Sequence, residues 1–144
     1  MTQSRDPFYG FIFDVQIIGV IVGHFSEVLG LDVNTEFDEY REGGVNEFVH
    51  KFPRITNYNN LTLRKGMTES NFLYKWYMDV INGKIERRQL SVILLNPARS
   101  PLKIWSFQNA FPVKWVGPEL KSDSNSLAIE SMEIVHQGII GQVI

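Results

Sequence analysis

The chain carries three histidines, the side chains best suited to proton transfer or metal binding near neutral pH. They are His24, His50 and His136, which lie far apart in the sequence and occur in no H-x-E or H-E-x-x-H pattern. The chain has no cysteine, so no thiolate is available to complete a zinc site. The sequence therefore indicates no metal centre.

Serine and carboxylate chemistry has equally little support. Ser26 lies between Phe25 and Glu27, not in the G-x-S-x-G turn that exposes a hydrolase nucleophile. Glu130 and Glu133 are spaced so that, in a regular strand, they point to opposite faces. A solvated surface explains these acids better than a general acid and base do. We therefore predict that the protein is not an enzyme and uses no cofactor.

A small basic cluster at Lys84, Arg87 and Arg88 raises the question of nucleic-acid binding. The isoelectric point of about 5.9 is far from the strongly basic value typical of such proteins. We therefore expect no sequence-specific recognition of nucleic acid.

Length and composition indicate one ordinary globular domain. The chain has 144 residues, 44% of them hydrophobic and 21% charged, which is enough for one core and too little for two. The lack of cysteine fits assembly in a reducing cytoplasm. Residues 1–6 are polar, and the apolar run after them is interrupted by Asp14 and Gln16, so we expect no secretion signal and no membrane insertion. We predict a single domain over residues 1–144.

Most of the chain shows the period-two pattern of strands. Phe11, Phe13 and Val15 alternate with Asp14 and Gln16, and later apolar runs are short and bounded by glycine, proline or asparagine. This pattern predicts a mainly β protein with antiparallel strands.

Residues 69–82 depart from that pattern and predict an amphipathic helix. The apolar residues Phe72, Leu73, Trp76, Tyr77 and Val80 form one stripe. Thr68 is positioned to cap the amino end, and Gly83 to follow the carboxyl end. We expect this stripe to cover the core.

Charge is distributed unevenly along the chain. From Asp6 to Glu47 there are nine acidic residues against Arg41, and from Phe48 to Lys121 there are twelve basic residues against four acidic ones. This asymmetry favours complementary faces on a self-assembling subunit. The alternative is that strands from the two stretches interleave and their charges mix.

Seven segments occur together in a recognisable order. They are the opening strand with Gly19 and GHFSEVLGL (residues 23–31), EYREGG (39–44), KFP (51–53), LTLRKG (61–66), LYKW (73–76), NAFPVKW (109–115) and residues 129–138. Their order and spacing resemble the tail tube protein family of contractile phages, which is shared with extracellular contractile injection systems. The resemblance extends over nearly the whole chain, from Phe8 to Gly138.

The resemblance implies a β-barrel or β-sandwich with one helix, six copies in a ring, and rings stacked into a hollow tube. It further implies sheath and baseplate proteins as partners, and a lumen that conducts DNA or effector proteins without sequence-specific binding. Such a protein is structural, and it ends up in a phage tail or in an injection particle that is released.

A loop rich in acidic residues is the expected subunit interface, because it resembles the extended loop by which the family reaches a neighbouring subunit or ring. The predicted interface residues are Glu36, Asp38, Glu39, Tyr40, Arg41, Glu42, Gly43 and Gly44. We expect its acids to face basic residues of a neighbour, drawn from Lys84, Arg87, Arg88, Arg64 and Lys65.

Other functions remain open from the sequence. Within the same family, the chain could be a tube-initiator or baseplate paralogue that forms a single ring. From other classes, a monomeric β-barrel with a ligand in an apolar pocket is the main alternative, and a small hydrolase is a weaker one.

Overall fold

The computed structural model describes residues 12–41, 43, 49–68, 70–117 and 127–143. Within these ranges the chain forms strands and one helix. They are β1 (Ile12–Ile17), β2 (Val20–Leu29), β3 (Val33–Tyr40), β4 (His50–Tyr58), β5 (Leu61–Thr68), α1 (Phe72–Ile81), β6 (Arg88–Leu95), β7 (Pro101–Val116), β8 (Leu127–Val135) and β9 (Ile139–Val143). The mainly β prediction is confirmed.

Six of the strands follow one another around a barrel in the order β6-β1-β2-β5-β8-β7. All neighbours are antiparallel, and β7 also pairs with β6, so the last strand meets the first. β9 continues beyond β8 along the same edge of β7. Closure pairs the backbone groups that an open sheet would leave at its edges.

Alternate side chains of these strands fill the barrel, as the period of two requires. Phe25, Leu61, Leu63, Phe107 and Met132 are essentially inaccessible to solvent. The ring of Phe25 lies over Gly66, where an added Cβ would come within 2.2 Å of it. A side chain at position 66 would therefore displace a central core residue.

The helix begins later than the sequence predicted. Thr68 was expected to cap it, but Thr68 is the last residue of β5, is buried, and pairs with Leu127 of β8. The residue before the helix is Asn71, whose side chain makes no capping hydrogen bond. Pairing with β8 therefore overrides the capping preference of Thr68, and α1 starts at Phe72, not at Glu69, which lies outside the described residues.

The carboxyl end of the helix is as predicted. Gly83 has φ +87, in the left-handed region that glycine enters without steric cost. Its N–H donates to the carbonyl of Val80 at 3.0 Å, and the N–H of Lys84 donates to the carbonyl of Asp79 at 2.7 Å. These two bonds form a Schellman motif, which satisfies carbonyls at the end of the helix.

Trp76 anchors the helix, which packs against β7 and β2. Its side chain is buried with Leu73, its ring lies 6.3 Å from that of Phe72, and its indole N–H donates to the carbonyl of Glu86 at 2.8 Å. The residue therefore joins the helix both to the core and to the segment that returns to β6.

β3 and β4 stand apart from the barrel. They pair with each other in a separate two-stranded sheet, which we call the hairpin. Gly43 lies in the turn region between the two strands, as the sequence predicted, and Gly44 lies outside the described residues. The hairpin leaves the barrel after β2 and returns at β5, so it is an insertion between two adjacent barrel strands.

The root of the hairpin is held by His136, which is buried just after β8. The rings of Tyr58 and Phe107 lie 5.8 and 4.8 Å from its ring. Its Nε2 donates to the carbonyl of Asn59, and its Nδ1 accepts from the N–H of Gly138, both at 3.1 Å. His136 therefore joins the end of β4 to the connection between β8 and β9.

Truncation of the helix anchor should destabilise the whole barrel. We expect Trp76→Ala to lower the free energy of unfolding by about 3 to 5 kcal/mol, because it leaves a cavity and an unpaired carbonyl at Glu86. Trp76→Phe keeps most of the packing and should cost less. Denaturant unfolding of the dilute subunit measures both, and an unchanged midpoint for Trp76→Ala would show that the helix is not anchored there.

The hairpin root should make stability depend on pH. Burial lowers the pKa of His136 below its ordinary value of 6.5, and the hydrogen bond from its Nε2 to the carbonyl of Asn59 only partly opposes this. Below about pH 6.5 the unfolded chain takes up a proton that the folded chain resists, so the free energy of unfolding falls as pH drops toward the folded pKa, by at most about 1.4 kcal/mol per pH unit.

The matched variant is His136→Gln, which cannot titrate. We expect it to reduce the loss of stability between pH 6.5 and 5, measured by denaturant unfolding across that range. An identical slope in the wild type and in His136→Gln would assign the pH dependence to other groups.

Candidate assembly surface

The hairpin is exposed along its length. Every residue of β3 and every residue of β4 except the half-buried His50 lies at the surface. An isolated two-stranded hairpin is at best marginally stable in water, because neither face has a layer packed on it. Additional contacts are therefore needed to hold it in shape.

The strand register divides the hairpin into two faces, since paired residues on adjacent strands point to the same side. On the first, the Phe37 face, Val33 lies opposite Tyr58 and Phe37 opposite Pro53. Lys51 lies on this face too, with its Nζ 5.4 Å from the centre of the Phe37 ring.

The second, the Phe52 face, carries a run of rings. Phe52 lies opposite Asp38, and Tyr40 opposite His50. The His50 ring lies 6.4 Å from both the Tyr40 and the Phe52 rings. Aromatic side chains are thus presented on both sides of one thin ribbon.

These apolar side chains are incompletely covered. Phe37 and Phe52 each keep 53% of their surface exposed, and Tyr40 and Ile55 each keep 55%. Contiguous exposed apolar residues of this kind mark interaction surfaces in soluble proteins. Here they lie on both faces, so the hairpin is suited to contact partners on two sides.

Most of the predicted interface residues lie on this hairpin. Glu36, Asp38, Glu39 and Tyr40 belong to β3, and Arg41 follows it directly. Gly43 lies in the turn region, whereas Glu42 and Gly44 fall outside the described residues. The predicted interface segment thus corresponds to β3 and the turn region after it, and the same hairpin carries the exposed apolar residues Phe37, Phe52 and Ile55, which the charge pattern does not identify.

The acidic and basic stretches mix in space, as the alternative interpretation held. Glu27 of β2 pairs with Arg64 and Lys65 of β5, at 3.4 and 3.2 Å. Within the hairpin, Asp38 lies 3.5 Å from Arg54. These pairs are largely exposed, and each is worth only about 0 to 1 kcal/mol.

The other basic residues expected on a neighbour also have contacts within the chain. Lys84 and Arg88 pair with Glu86, and together they lower the pKa of that carboxyl group, with the Lys84 hydrogen bond as the largest cause. The guanidinium of Arg87 lies 4.7 Å from the centre of the Phe111 ring. A charge contact between subunits would have to replace or extend these contacts.

Nothing in the described residues resembles a reaction centre. His24 contacts Asp14 across β1 and β2 at 2.5 Å, but no group of three or more potential metal ligands occurs within those residues. A cleft of about 230 Å³ beside the helix and one of about 430 Å³ beside the β1–β2 turn are both open recesses. In the same part of the chain, no helix is long and apolar enough to cross a membrane.

Solved structures of contractile injection systems contain chains with this fold. A chain in the PVC extracellular contractile injection system, in the sheath-tube complex in its extended state, is 28% identical, with 93% of this chain and 88% of that chain covered and a TM-score of 0.68. A chain in the tube-terminating cap of the anti-feeding prophage is 27% identical, with 97% and 92% covered and a TM-score of 0.67.

A third chain, from the baseplate of the anti-feeding prophage, is 22% identical, with 92% and 91% covered and a TM-score of 0.68, and shows the shared fold alone. No curated protein sequence matches the chain. The model of one protein family, described as T4-like virus tail tube protein gp19, matches residues 9–140. The resemblance found in the sequence is thereby confirmed, and the chain belongs to the T4-like virus tail tube protein gp19 family, a structural and not an enzymatic family.

Proposed function

We propose that the chain is the repeating subunit of the inner tube of a contractile tail or injection system, with six copies in each ring and rings stacked around a lumen. The observation that carries this proposal is the hairpin, which offers apolar residues on two faces and has no covering layer among the described residues. In a stack of rings, each hairpin would lie between neighbouring subunits. Assembly would then complete the packing that a single copy lacks.

The expected free energies favour the apolar contacts over the charged ones as the source of affinity between subunits. Full burial of a large apolar side chain is worth about 1.5 to 3 kcal/mol, so covering the exposed half of such a residue contributes about 1 kcal/mol. The half-exposed side chains are Val33, Phe37, Tyr40, Phe52 and Ile55. An ion pair formed between subunits would gain less, because the hairpin charges exchange one exposed partner for another.

The charged residues have a different role in this proposal. Glu36, Asp38, Glu39 and Arg41 flank the apolar residues of the same strand and its end. Charges at the rim of an interface accelerate association and set register more than they add affinity. We therefore place these residues at the subunit interface, with basic residues of a neighbour as their partners.

The assembled tube would contact sheath and baseplate proteins on its outside and at its end. Support comes from the related chains, which occur in a sheath-tube complex and in a tube-terminating cap. The lumen would conduct DNA or effector proteins without sequence-specific binding. Assembly would take place in the bacterial cytoplasm, before any particle is released.

A second possibility is a tube-initiator or baseplate paralogue that forms a single ring. The fold serves both roles, since a related chain also occurs in a baseplate. Electron microscopy separates the two: the tube subunit should form long stacks of rings by itself, and the initiator single rings. A monomeric ligand-binding barrel is less well supported, because Leu61, Leu63 and Phe107 fill the barrel interior.

Removal of apolar surface from the hairpin should weaken tube formation. We expect Phe37→Ser and Phe52→Ser each to raise the protein concentration required for tubes about fivefold, because each removes an apolar contact worth about 1 kcal/mol from one face of the hairpin. Sedimentation of tubes across a concentration series, with negative-stain microscopy, measures this.

The control for these variants is Ile85→Ser, which removes an exposed apolar residue between α1 and β6. It should assemble at the wild-type concentration. Circular dichroism of the dilute proteins should show an intact barrel in all three variants. If the double variant Phe37→Ser/Phe52→Ser forms normal tubes, the hairpin is not part of the interface.

Charge reversal should affect the rate of assembly more than its extent. Glu39 lies opposite Lys51, so Glu39→Lys places like charges together, whereas Glu39→Lys/Lys51→Glu restores the pair within the hairpin. We expect both proteins to assemble several-fold more slowly at low salt, measured by light scattering, with the difference lost at high salt. Wild-type rates for the double variant would show that these charges act only within the hairpin.

A further inference from the structure

The turn between β1 and β2 has an unusual residue in a demanding position. Ile17 pairs with Val20, and the two residues between them, Ile18 and Gly19, have φ of +53 and +75. Two positive φ values in a two-residue hairpin loop define a type I′ turn, in which asparagine, aspartate and glycine are preferred. A β-branched residue there is sterically strained, because its Cβ crowds the following carbonyl.

This strained residue is also exposed. Ile18 keeps 79% of its surface accessible, and the adjacent Val20 and Ile21 keep 62% and 47%. The recess beside the turn is lined by uncharged residues, among them Gln16, Gln89 and Ser91. The turn is therefore an uncharged apolar projection, which neither local conformation nor packing within the described residues explains. Backbone strain of this kind persists where another contact compensates it.

The position of the turn indicates which part of a neighbouring subunit can contact it. β2 begins at this turn, and the hairpin follows the other end of β2. Ten strand residues span about 30 Å, so the turn and the hairpin lie at opposite ends of one strand. In a head-to-tail contact between identical subunits, such opposite ends meet.

We propose that the β1–β2 turn is a contact between successive rings, and that its partner is the hairpin of a second copy of this chain. The proposal rests on the proposed stacking of rings. The two surfaces match in kind, since the turn is apolar and uncharged and the hairpin offers aromatic residues on both faces. Ile18 thus contributes to assembly at the expense of the stability of the single subunit.

Two substitutions of Ile18 distinguish the effect of backbone strain in the turn from the effect of a lost contact between subunits. Ile18→Asn removes the apolar side chain and suits the turn, whereas Ile18→Thr removes it but keeps the β-branch. We expect both to raise the concentration required for tubes at least tenfold. Only Ile18→Asn should raise the melting temperature of the dilute subunit, by about 4 °C. Ile85→Asn is the matched control for loss of an exposed apolar residue and should change neither quantity.

Tubes that form from Ile18→Asn and Ile18→Thr at the wild-type concentration would overturn the proposal. So would an equal defect in Ile85→Asn, which would indicate a general need for surface apolarity. If the two variants form normal tubes that no longer bind the sheath, the partner is the sheath and not a second copy. The tube function and this contact can fail separately. If the Phe37 and Phe52 variants lose tubes while the Ile18 variants form normal tubes, the tube function is supported and the contact at the turn is refuted.

Discussion

A two-stranded ribbon cannot bury its own side chains, and this constraint governs the behaviour of the protein. Within the described residues, β3 and β4 form a two-stranded sheet of their own, and all of their residues except His50 are exposed. Sequence selection for solubility alone would place polar residues on both faces. Phe37 and Phe52 instead lie on opposite faces and remain half exposed. In the proposed tube, other chains supply the free energy that a third layer would supply within one chain.

The barrel is built in the opposite way. The pairing of β7 with β6 closes the ring of strands, and Phe25, Phe107 and the other core residues fill it. It can therefore fold without help and hold the hairpin at one end of β2 and β5. The aromatic contacts of His136 with Tyr58 and Phe107 join the two parts at the hairpin root. In the proposed assembly, a barrel with an uncovered hairpin is a suitable repeating unit, because each added copy would cover the hairpin of the one before it.

Much of this architecture follows from residue patterns, and the exceptions have physical causes. The period of two predicted the β class, and the stripe at Trp76 with Gly83 after it predicted the helix and its end, because these signals are local. The start of the helix was misplaced, since Thr68 can end a strand or cap a helix and only its pairing with β8 decides between them. β9 was not predicted, because its pairing with β7 depends on residues far away in the sequence.

The same distinction applies to the assembly surface. The acidic residues of β3 can be identified from the sequence alone, whereas the ion pair of Asp38 with Arg54 and the position of Glu39 opposite Lys51 depend on the strand register. That Phe37 and Phe52 lie on opposite, uncovered faces cannot be derived from alternation alone, since alternation does not reveal whether a second layer exists.

Hydrogen exchange of the β3 and β4 amides, compared between the dilute subunit and the assembled protein, tests most directly whether the hairpin is completed by other copies. The account predicts rapid exchange along the hairpin in the dilute subunit, beside a protected barrel, and strong protection of the hairpin after assembly. Equal protection of the hairpin in both states would contradict it, because the ribbon would then be stable without a partner.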